Sequence, residues 1–547
     1  MDKIIISACL TGKNIKYNGG NNRIDKPAIT RWQNEGRLVP VCPESLGGLP
    51  VPRPPAEISG AEVININGDD VTENFEKGAR AALDIAEKSG AKYALLKQSS
   101  PSCGSEFIYD GTFSHTKIKG MGVAAALLAE HGIKVFDESR IDELDAEIRS
   151  KMLPEKIKKT LKRLCDSGYE AYAAGGCVRD MLMGRQPDDY DITTSAAPDE
   201  VMNTFADLTV VPTGIKHGTV TVVDGGEHIE ITTYRIDGEY ADNRHPTEVS
   251  FTRNLHEDLA RRDFCMNAIA MDFCGKIVDP YGGEADIAAR TISCVGEAQK
   301  RFHEDGLRIL RCIRFASVLG FEIDKTTAEA VHGCVRLLGG ISAERIFAEL
   351  KKLICGTAAS KILKEYKDVI FEILPELDTD EYDTAADKIN SAPQCADIRL
   401  ALLAASAAPQ CAELICRRLK TDGAMRSVVT KLAANRDLTI SPDRISVRRA
   451  AARFGADFLP RLADFLRIHS GNETMLEVRR IAEEIKSDGD CCAIADLNIS
   501  GADITALGAE GRQIGQVLAQ LLDAVMCEKT KNTKEDLLEY IKREKLI

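Results

Sequence analysis

Gly175-Gly176-Cys177-Val178-Arg179-Asp180 and, thirteen residues after Gly176, Asp189-Tyr190-Asp191 decide the fold. Tyr169–Ala174 reads as a strand running into the glycine pair; a helix follows, Gly184-Arg185-Gln186-Pro187 turns the chain, and Tyr190–Thr193 reads as a strand. A glycine pair between strand and helix lets backbone N–H groups of Gly175 and Gly176 approach a triphosphate, although the same pair also serves as an ordinary turn. In a strand, Asp189 and Asp191 share one face with Tyr190 turned to the core. Two carboxylates on one face are hard oxygen ligands for divalent metal, and two Mg²⁺ ions could activate a hydroxyl and stabilise departing pyrophosphate. A bare Asp-x-Asp is otherwise a solvated strand end; the preceding glycine turn favours the metal reading.

Outward from this centre, Thr209–Pro212, Thr219–Val223 and Ile229–Tyr234 read as strands, with a hairpin turn at Asp224-Gly225-Gly226-Glu227. Glu230 is either a third carboxylate on the metal face or a solvent-facing residue of an edge strand. Arg261-Arg262-Asp263-Phe264-Cys265-Met266-Asn267 offers guanidiniums for phosphate oxygens and a carboxylate for a ribose hydroxyl, or else a charged helix start with Asn267 as a local cap. After about Glu284 apolar residues recur at helical spacing. There, Glu304-Asp305-Gly306-Leu307-Arg308 is read as one helix, with Glu304 and Asp305 sharing a face with Arg308. This is a surface ion pair or an amino-acid template for a base. Cytosine and adenine both present an amino group beside an unprotonated ring nitrogen. A carboxylate accepts from the first and a guanidinium donates to the second; uracil and guanine fit neither.

The chain has 547 residues, 44% apolar and 28% charged, too long for one core. Its net charge of −13 disfavours a nucleic-acid coat or membrane-surface protein. No run is long enough to span a membrane and no signal peptide precedes the first strand, so a cytoplasmic protein is expected. Seventeen cysteines without a regular framework argue for reduced thiols. Residues 1–142 alternate strands (Lys3–Ala8, Val39–Val41, Tyr93–Leu96) with helices (Asn74–Ser89, Gly122–Glu130), as a parallel α/β sheet does, and a charged helical stretch, Ser139–Lys162, bridges onward. Cys9, Cys42 and Cys103 each follow a strand-like run, so all three would stand at one sheet edge. Three thiolates there could hold three irons of a [4Fe–4S] cluster; with no CxxC, ordinary buried cysteines remain the alternative.

The ordered set GGCVRD, GRQPDDYDI, RRDFCMNAIAMD, DPYGG, EDGLRILRCIRFA and ISAERI resembles the class II tRNA nucleotidyltransferase and poly(A) polymerase family over residues 155–547. The resemblance implies an α/β nucleotidyltransferase head (163–285, after a helical linker at 143–162), a neck (286–355), and an all-α body and tail (356–547). It implies Mg²⁺ on Asp189 and Asp191 and Glu230 as the further acidic position. Gly175, Gly176, Arg179, Arg262, Asp263 and Asn267 would bind the nucleotide. Glu304, Asp305 and Arg308 would read the base with Arg311 in support, and Glu344 and Arg345 would brace the neck. CTP, ATP and tRNA are the implied partners, with no DNA. Asp237–Phe251 resembles the loop of full CCA- and A-adding enzymes. No His is followed by Asp, so no HD phosphohydrolase is expected. Segments around Asn498–Asp503 and Asn532–Glu535 look like the tail that grips tRNA. SACLTG, VCPE, GGLPVPRPPAEI, LLKQSSPSCG and YDGTF resemble the DUF523 family, which includes thiouracil desulfurases. This implies Cys9, Cys42 and Cys103 as cluster ligands and Glu44 and Ser100 in proton transfer or substrate contact with a thiouracil; the fusion to the second domain suggests thiolated tRNA as a further substrate.

Overall fold

A computed structural model describes residues 2–238, 249–377 and 379–547. They divide into two compact units: residues up to Ile215 with Thr219–Thr233 and Ala270–Val278, and Lys216–Gly218 with Tyr234–Ile269 and Asp279–Ile547. No described helix is long and apolar enough to cross a membrane.

In the first unit β1 (Lys3–Ser7), β2 (Leu38–Val41), β3 (Ala56–Ser59), β4 (Glu62–Asn65), β5 (Ala91–Leu96), β6 (Phe107–Tyr109), β7 (Lys117–Lys119) and β8 (Lys134–Asp137) follow in order. A parallel sheet runs β2-β1-β5-β8, while β3-β4 and β6-β7 are separate hairpins. Ile4, Ile5 and Ile6 are all sealed because helices cover both faces of a central parallel strand. On one face α1 (Pro27–Asn34) adds Trp32. On the other, α2 (Thr72–Ser89) buries Ala82 and Ala86, and α3 (Val123–Glu130) adds Ala125 and Leu128. The strand expected to reach Ala8 stops at Ser7, where Ala8–Thr11 turns into a 3-10 helix carrying Cys9.

The expected single stretch 139–162 is two helices. In α4 (Ile141–Ser150), Ile141, Leu144 and Ile148 join the core on the Trp32 face. Pro154 then caps α5 (Glu155–Asp166), which packs on the next sheet, since a proline favours a fresh helix start over continuation. That sheet comprises β9 (Ala171–Ala174), β10 (Ile192–Thr194), β11 (Thr209–Gly214), β12 (Thr219–Asp224) and β13 (Glu227–Thr233). After β14 (Arg235–Asp237) and β15 (Val249–Phe251), a hairpin of the second unit, come β16 (Ala270–Met271) and β17 (Ile277–Val278), giving the order β11-β12-β13-β10-β9-β16-β17. Asp224 pairs with Glu227 around Gly225-Gly226, both at positive φ, as the hairpin signal predicts. The β16–β17 turn is pressed on α4: a Cβ on Gly275, at φ +86°, would sit 2.0 Å from the Ala146 carbonyl oxygen. Only glycine fits there.

The described residues of the second unit are helical apart from the β14–β15 pair and two two-residue strands, β18 (Thr291–Ile292) and β19 (Glu322–Ile323). Its caps are chemical: Asp324, Asp422, Asp443, Ser500 and Thr533 side chains each accept a backbone N–H of the first turn they open. The two tail segments meet: Asn498 Nδ2 donates to the Asn532 carbonyl (2.6 Å) and Lys534 pairs with Asp503 (2.7 Å). Residues 239–248 of the expected loop Asp237–Phe251 lie outside the described residues.

Candidate functional site

The carboxylates of the first unit stand where β10 and β13 begin to pair. Asp189–Asp191 precede β10 rather than belonging to it, which corrects the expected strand Tyr190–Thr193: extended backbone leads in, but ladder pairing starts at Ile192. Tyr190 is half-buried and accepts from Gln186 Nε2 (3.3 Å), while Asp189 and Asp191 are exposed. β10 and β13 are parallel, with Ile192 opposite Ile231, both buried. One residue earlier, Asp191 therefore stands beside Glu230 on the opposite, exposed face. Glu230 is not on an edge, because β13 lies between β12 and β10. The Ala174 N–H donates to the Asp191 carbonyl (3.0 Å), which places the glycine turn beside the carboxylates. Gly175 takes φ +84° as it opens α6 (Gly176–Leu182), and the Arg179 guanidinium folds back on Asp180 (2.8 Å) under Gly176.

In the second unit, α7 (Leu255–Ala260) ends at the arginine pair. Asp258, fully buried, accepts from Arg261 Nη2 (2.7 Å) and from the Arg235 N–H, and lies 3.7 Å from Arg262. Sequence reasoning missed Asp258, although its spacing of three and four to the arginines was a readable signal. Asp263 Oδ1 accepts the Phe264 N–H and Asn267 Nδ2 (3.2 Å), and Oδ2 accepts both Arg311 Nε (2.8 Å) and Nη2 (2.6 Å). Asn267 thus serves Asp263 rather than a helix start.

The base-template motif is not one helix. α8 (Ala298–Glu304) stops, Asp305 is extended, and α9 (Leu307–Leu319) restarts after Gly306. Gly306 sits where a Cβ would be 3.0 Å from the Leu337 carbonyl oxygen. Across the break Arg308 Nη1 still donates to Glu304 Oε2 (2.6 Å), and Nη2 donates to the Arg261 carbonyl (3.0 Å). Both partners are largely buried, so this is not a surface pair. Asp305 pairs instead with Arg345 (2.7 Å) of α10 (Ala343–Ile354), while Glu344 reaches Lys420 (2.8 Å). Glu349, not anticipated, binds Arg314 (2.8 Å) beside Arg311.

Burial pushes the Asp263 carboxyl upward, but the Arg311 charge and the Asn267 and Arg311 hydrogen bonds outweigh it, holding the group at about 2. A depressed carboxyl contributes stability above its unfolded value and loses it as pH falls through its folded value. Between about pH 4 and 2 the wild-type protein should lose on the order of 2 kcal/mol more stability than Asp263→Asn, as measured by urea denaturation. Parallel acid profiles would refute this.

The N-terminal sheet edge holds a cavity of ≈ 440 Å³ lined by Cys9, Cys42, Cys103, Glu44 and Ser100. Asn22 Nδ2 donates to Cys9 Sγ (3.7 Å) and Ser45 Oγ to Cys42 Sγ (3.5 Å). Burial raises the Cys9 thiol and pushes Cys103 up to about 12. Ser100 Oγ donates to Glu44 Oε1 (3.3 Å) and accepts the Cys103 N–H (3.1 Å), while Arg53 grips Glu44 Oε2 (2.6 Å). Among the described residues no three His, Cys, Asp or Glu side chains are grouped tightly enough to hold a single metal ion. Thiols around the wall of one cavity fit a larger, polynuclear group. For the exposed aspartates the donor set fits Mg²⁺, which takes one or two carboxylates and completes its shell with water and substrate phosphates. Sequence reasoning missed Arg53 and Glu57 of this cavity; both lie in the quoted run GGLPVPRPPAEI.

Comparison with known proteins matches residues 4–140 to the 2-thiouracil desulfurase family, 171–293 to the poly A polymerase head domain, and 320–380 to "Probable RNA and SrmB- binding site of polymerase A". A CCA-adding enzyme of Geobacillus thermodenitrificans is 51% identical over 203 residues, 37% of this chain and 50% of that protein. The chain spans about half the length of the curated relatives it matches. The crystal structure of a Bacillus stearothermophilus CCA-adding enzyme in complex with CTP is 30% identical, with TM-score 0.62, over 71% of this chain and 98% of that one. A [4Fe-4S]-dependent thiouracil desulfidase structure is 46% identical over 26% of this chain and 95% of that one, with TM-score 0.26.

Proposed function

The chain belongs to the family of CCA-adding enzymes, and from that premise we propose that residues 155–547 build the C-C-A end of tRNA from CTP and ATP without a nucleic-acid template. The observation that supports this reading is that Asp191 and Glu230 each stand one residue before the Ile192–Ile231 pairing of two parallel strands, next to the glycine turn. Asp189 and Asp191 would hold Mg²⁺, with Glu230 as the adjoining carboxylate. When bound, two such ions supply activation of the terminal 3′-hydroxyl and neutralise pyrophosphate as the α–β phosphate linkage breaks. Gly175, Gly176, Arg179 and Arg262 bind phosphates. Asp263, held by Asn267 and Arg311, accepts from the ribose hydroxyl, and Arg311 supports the base template. Asp305, fixed by Arg345, accepts a base amino group, and Arg308, fixed by Glu304 and the Arg261 carbonyl, donates to the neighbouring ring nitrogen.

A second activity is proposed for residues 1–142: exchange of sulfur for oxygen in a thiolated uracil, free or within tRNA. Water supplies the oxygen and sulfur leaves as hydrogen sulfide, with no net oxidation. Cys9, Cys42 and Cys103 would hold a [4Fe–4S] cluster, whose fourth iron, free of protein ligands, supplies a position for the substrate's sulfur. Glu44, fixed by Arg53, exchanges a proton with Ser100.

The first reading is tested with a tRNA transcript ending at the discriminator base, purified protein, Mg²⁺ and each nucleoside triphosphate. Addition stopping at C-C-A supports it. Addition of A alone to a transcript ending in CC would make this an A-adding enzyme, and a long A tail a poly(A) polymerase. The second is tested by sulfide release from 2-thiouracil and by mass spectrometry of thiolated tRNA after anaerobic incubation. Unchanged thiouridine beside desulfurated free base would remove the tRNA version.

A further inference from the structure

The N-terminal cavity contains two carboxylates, and only one is fully engaged. Glu44 uses Oε1 for Ser100 and Oε2 for Arg53. Glu57, on β3, is 7% exposed and lines the same cavity. Its Oε2 accepts the Phe113 N–H at 2.9 Å, and among the described residues the carboxylate has no other hydrogen bond or ion pair. Oε1 is not among the sealed, unpartnered atoms, and the one space that Glu57 is found to line is this cavity.

The wall that carries Glu57 is fixed. The tip of the β6–β7 hairpin presses on β3 so closely that a Cβ on Gly111 would lie 2.6 Å from the Ile58 carbonyl oxygen. Phe113 is itself held at φ +56° and also lines the cavity. The carboxylate therefore presents one preorganised acceptor, and an ionised carboxylate can only accept.

We propose that Glu57 Oε1 selects uracil-type rings by accepting their N3–H. This rests on the desulfurase reading and names the ring chemistry that site takes. A thiolated uracil carries a proton on N3. A thiolated cytosine carries a lone pair there, which would face the carboxylate's own lone pairs and leave both unsatisfied. Sites built around one hydrogen bond reject the analogue that lacks it far more strongly than apolar pockets reject a missing methylene.

The test uses the full chain, reconstituted anaerobically with iron and sulfide, and Glu57→Gln. The glutamine carbonyl can still accept the Phe113 N–H, so the hairpin latch survives while the cavity-facing atom changes from acceptor to donor. The probes are 2-thiouracil, 1-methyl-2-thiouracil and 1-methyl-2-thiocytosine; methylation leaves position 3 and its neighbouring substituent as the difference between the last two. Recognition is measured as KM and kcat/KM for sulfide release from each probe, since water turns over a bound substrate. Wild type should prefer 1-methyl-2-thiouracil, and in Glu57→Gln the preference should swing by about 100-fold or more toward 1-methyl-2-thiocytosine. The proposal is overturned if Glu57→Gln keeps the wild-type ratio or turns over neither methylated ring. It is also overturned if wild type turns over 2-thiouracil but not its methylated form. Failure of wild type to turn over even 2-thiouracil would instead sink the desulfurase reading beneath it.

Discussion

Nucleotide addition by Asp189→Ala is expected to fall by at least about 1000-fold, with the fold unchanged. That factor corresponds to about 4 kcal/mol of transition-state stabilisation, within what divalent ions supply at a phosphoryl centre. Mg²⁺ relies on one or two carboxylates plus substrate oxygens, so removing Asp189 would leave Asp191 as the single proposed carboxylate ligand, too few to fix the ion against the triphosphate. Asp189 is exposed and lies ahead of the ladder that begins at Ile192, so its loss should cost the fold no more than about 0.5 kcal/mol. The measurement is CMP incorporation into a tRNA transcript ending at the discriminator base, with thermal melting alongside. Addition within tenfold of wild type would remove Asp189 from the metal site and leave the Asp191–Glu230 pair as the place to look.

What the sequence made legible was local. The glycine turn, the hairpin at Gly225-Gly226 and the approach of Glu304 to Arg308 all depend on residues within a few positions of one another, and each is found in the structure. The helix break at Gly306 was hidden because apolar residues keep helical spacing on either side of it, while the cause is packing against Leu337, thirty-one residues later. The Asp305–Arg345 pair spans forty residues and the Glu57–Phe113 bond fifty-six. Neither has a periodicity to betray it. The division of 139–162 at Pro154 had a visible signal, yet the charged stretch read as one helical bridge; the burial of Ile141, Leu144 and Ile148 shows that α4 belongs to the first sheet. Glu230 was ambiguous because a strand's position within a sheet is set by its neighbours, here β12 and β10, and not by its own residues.

Cys103→Ala should abolish iron–sulfur content and sulfide release together while leaving nucleotide addition within about twofold of wild type. Cys103 is buried against Ile5, Ala94, Leu96 and Ala125, so on packing grounds alone it is an ordinary core thiol whose truncation costs about 1 kcal/mol. Its loop is shaped independently of the sulfur. The Gln98 side-chain carbonyl accepts the N–H groups of Ser105, Glu106 and Phe107 at 3.1–3.3 Å, and Ser100 Oγ accepts those of Ser102 and Cys103. The alanine protein therefore keeps its loop and loses one of the three proposed ligands. A [4Fe–4S] cluster left with two protein thiolates is not retained, so iron should drop from about four per chain to well under one, together with the visible thiolate-to-iron absorption. Cys312, also buried but in the second unit, is the control: Cys312→Ala should carry full iron. The two readings of Cys103 part here. A merely structural thiol predicts unchanged iron in both variants with a small loss of melting temperature, whereas a ligand predicts loss in one only. Wild-type protein that takes up zinc but no iron under anaerobic reconstitution would overturn the cluster assignment altogether.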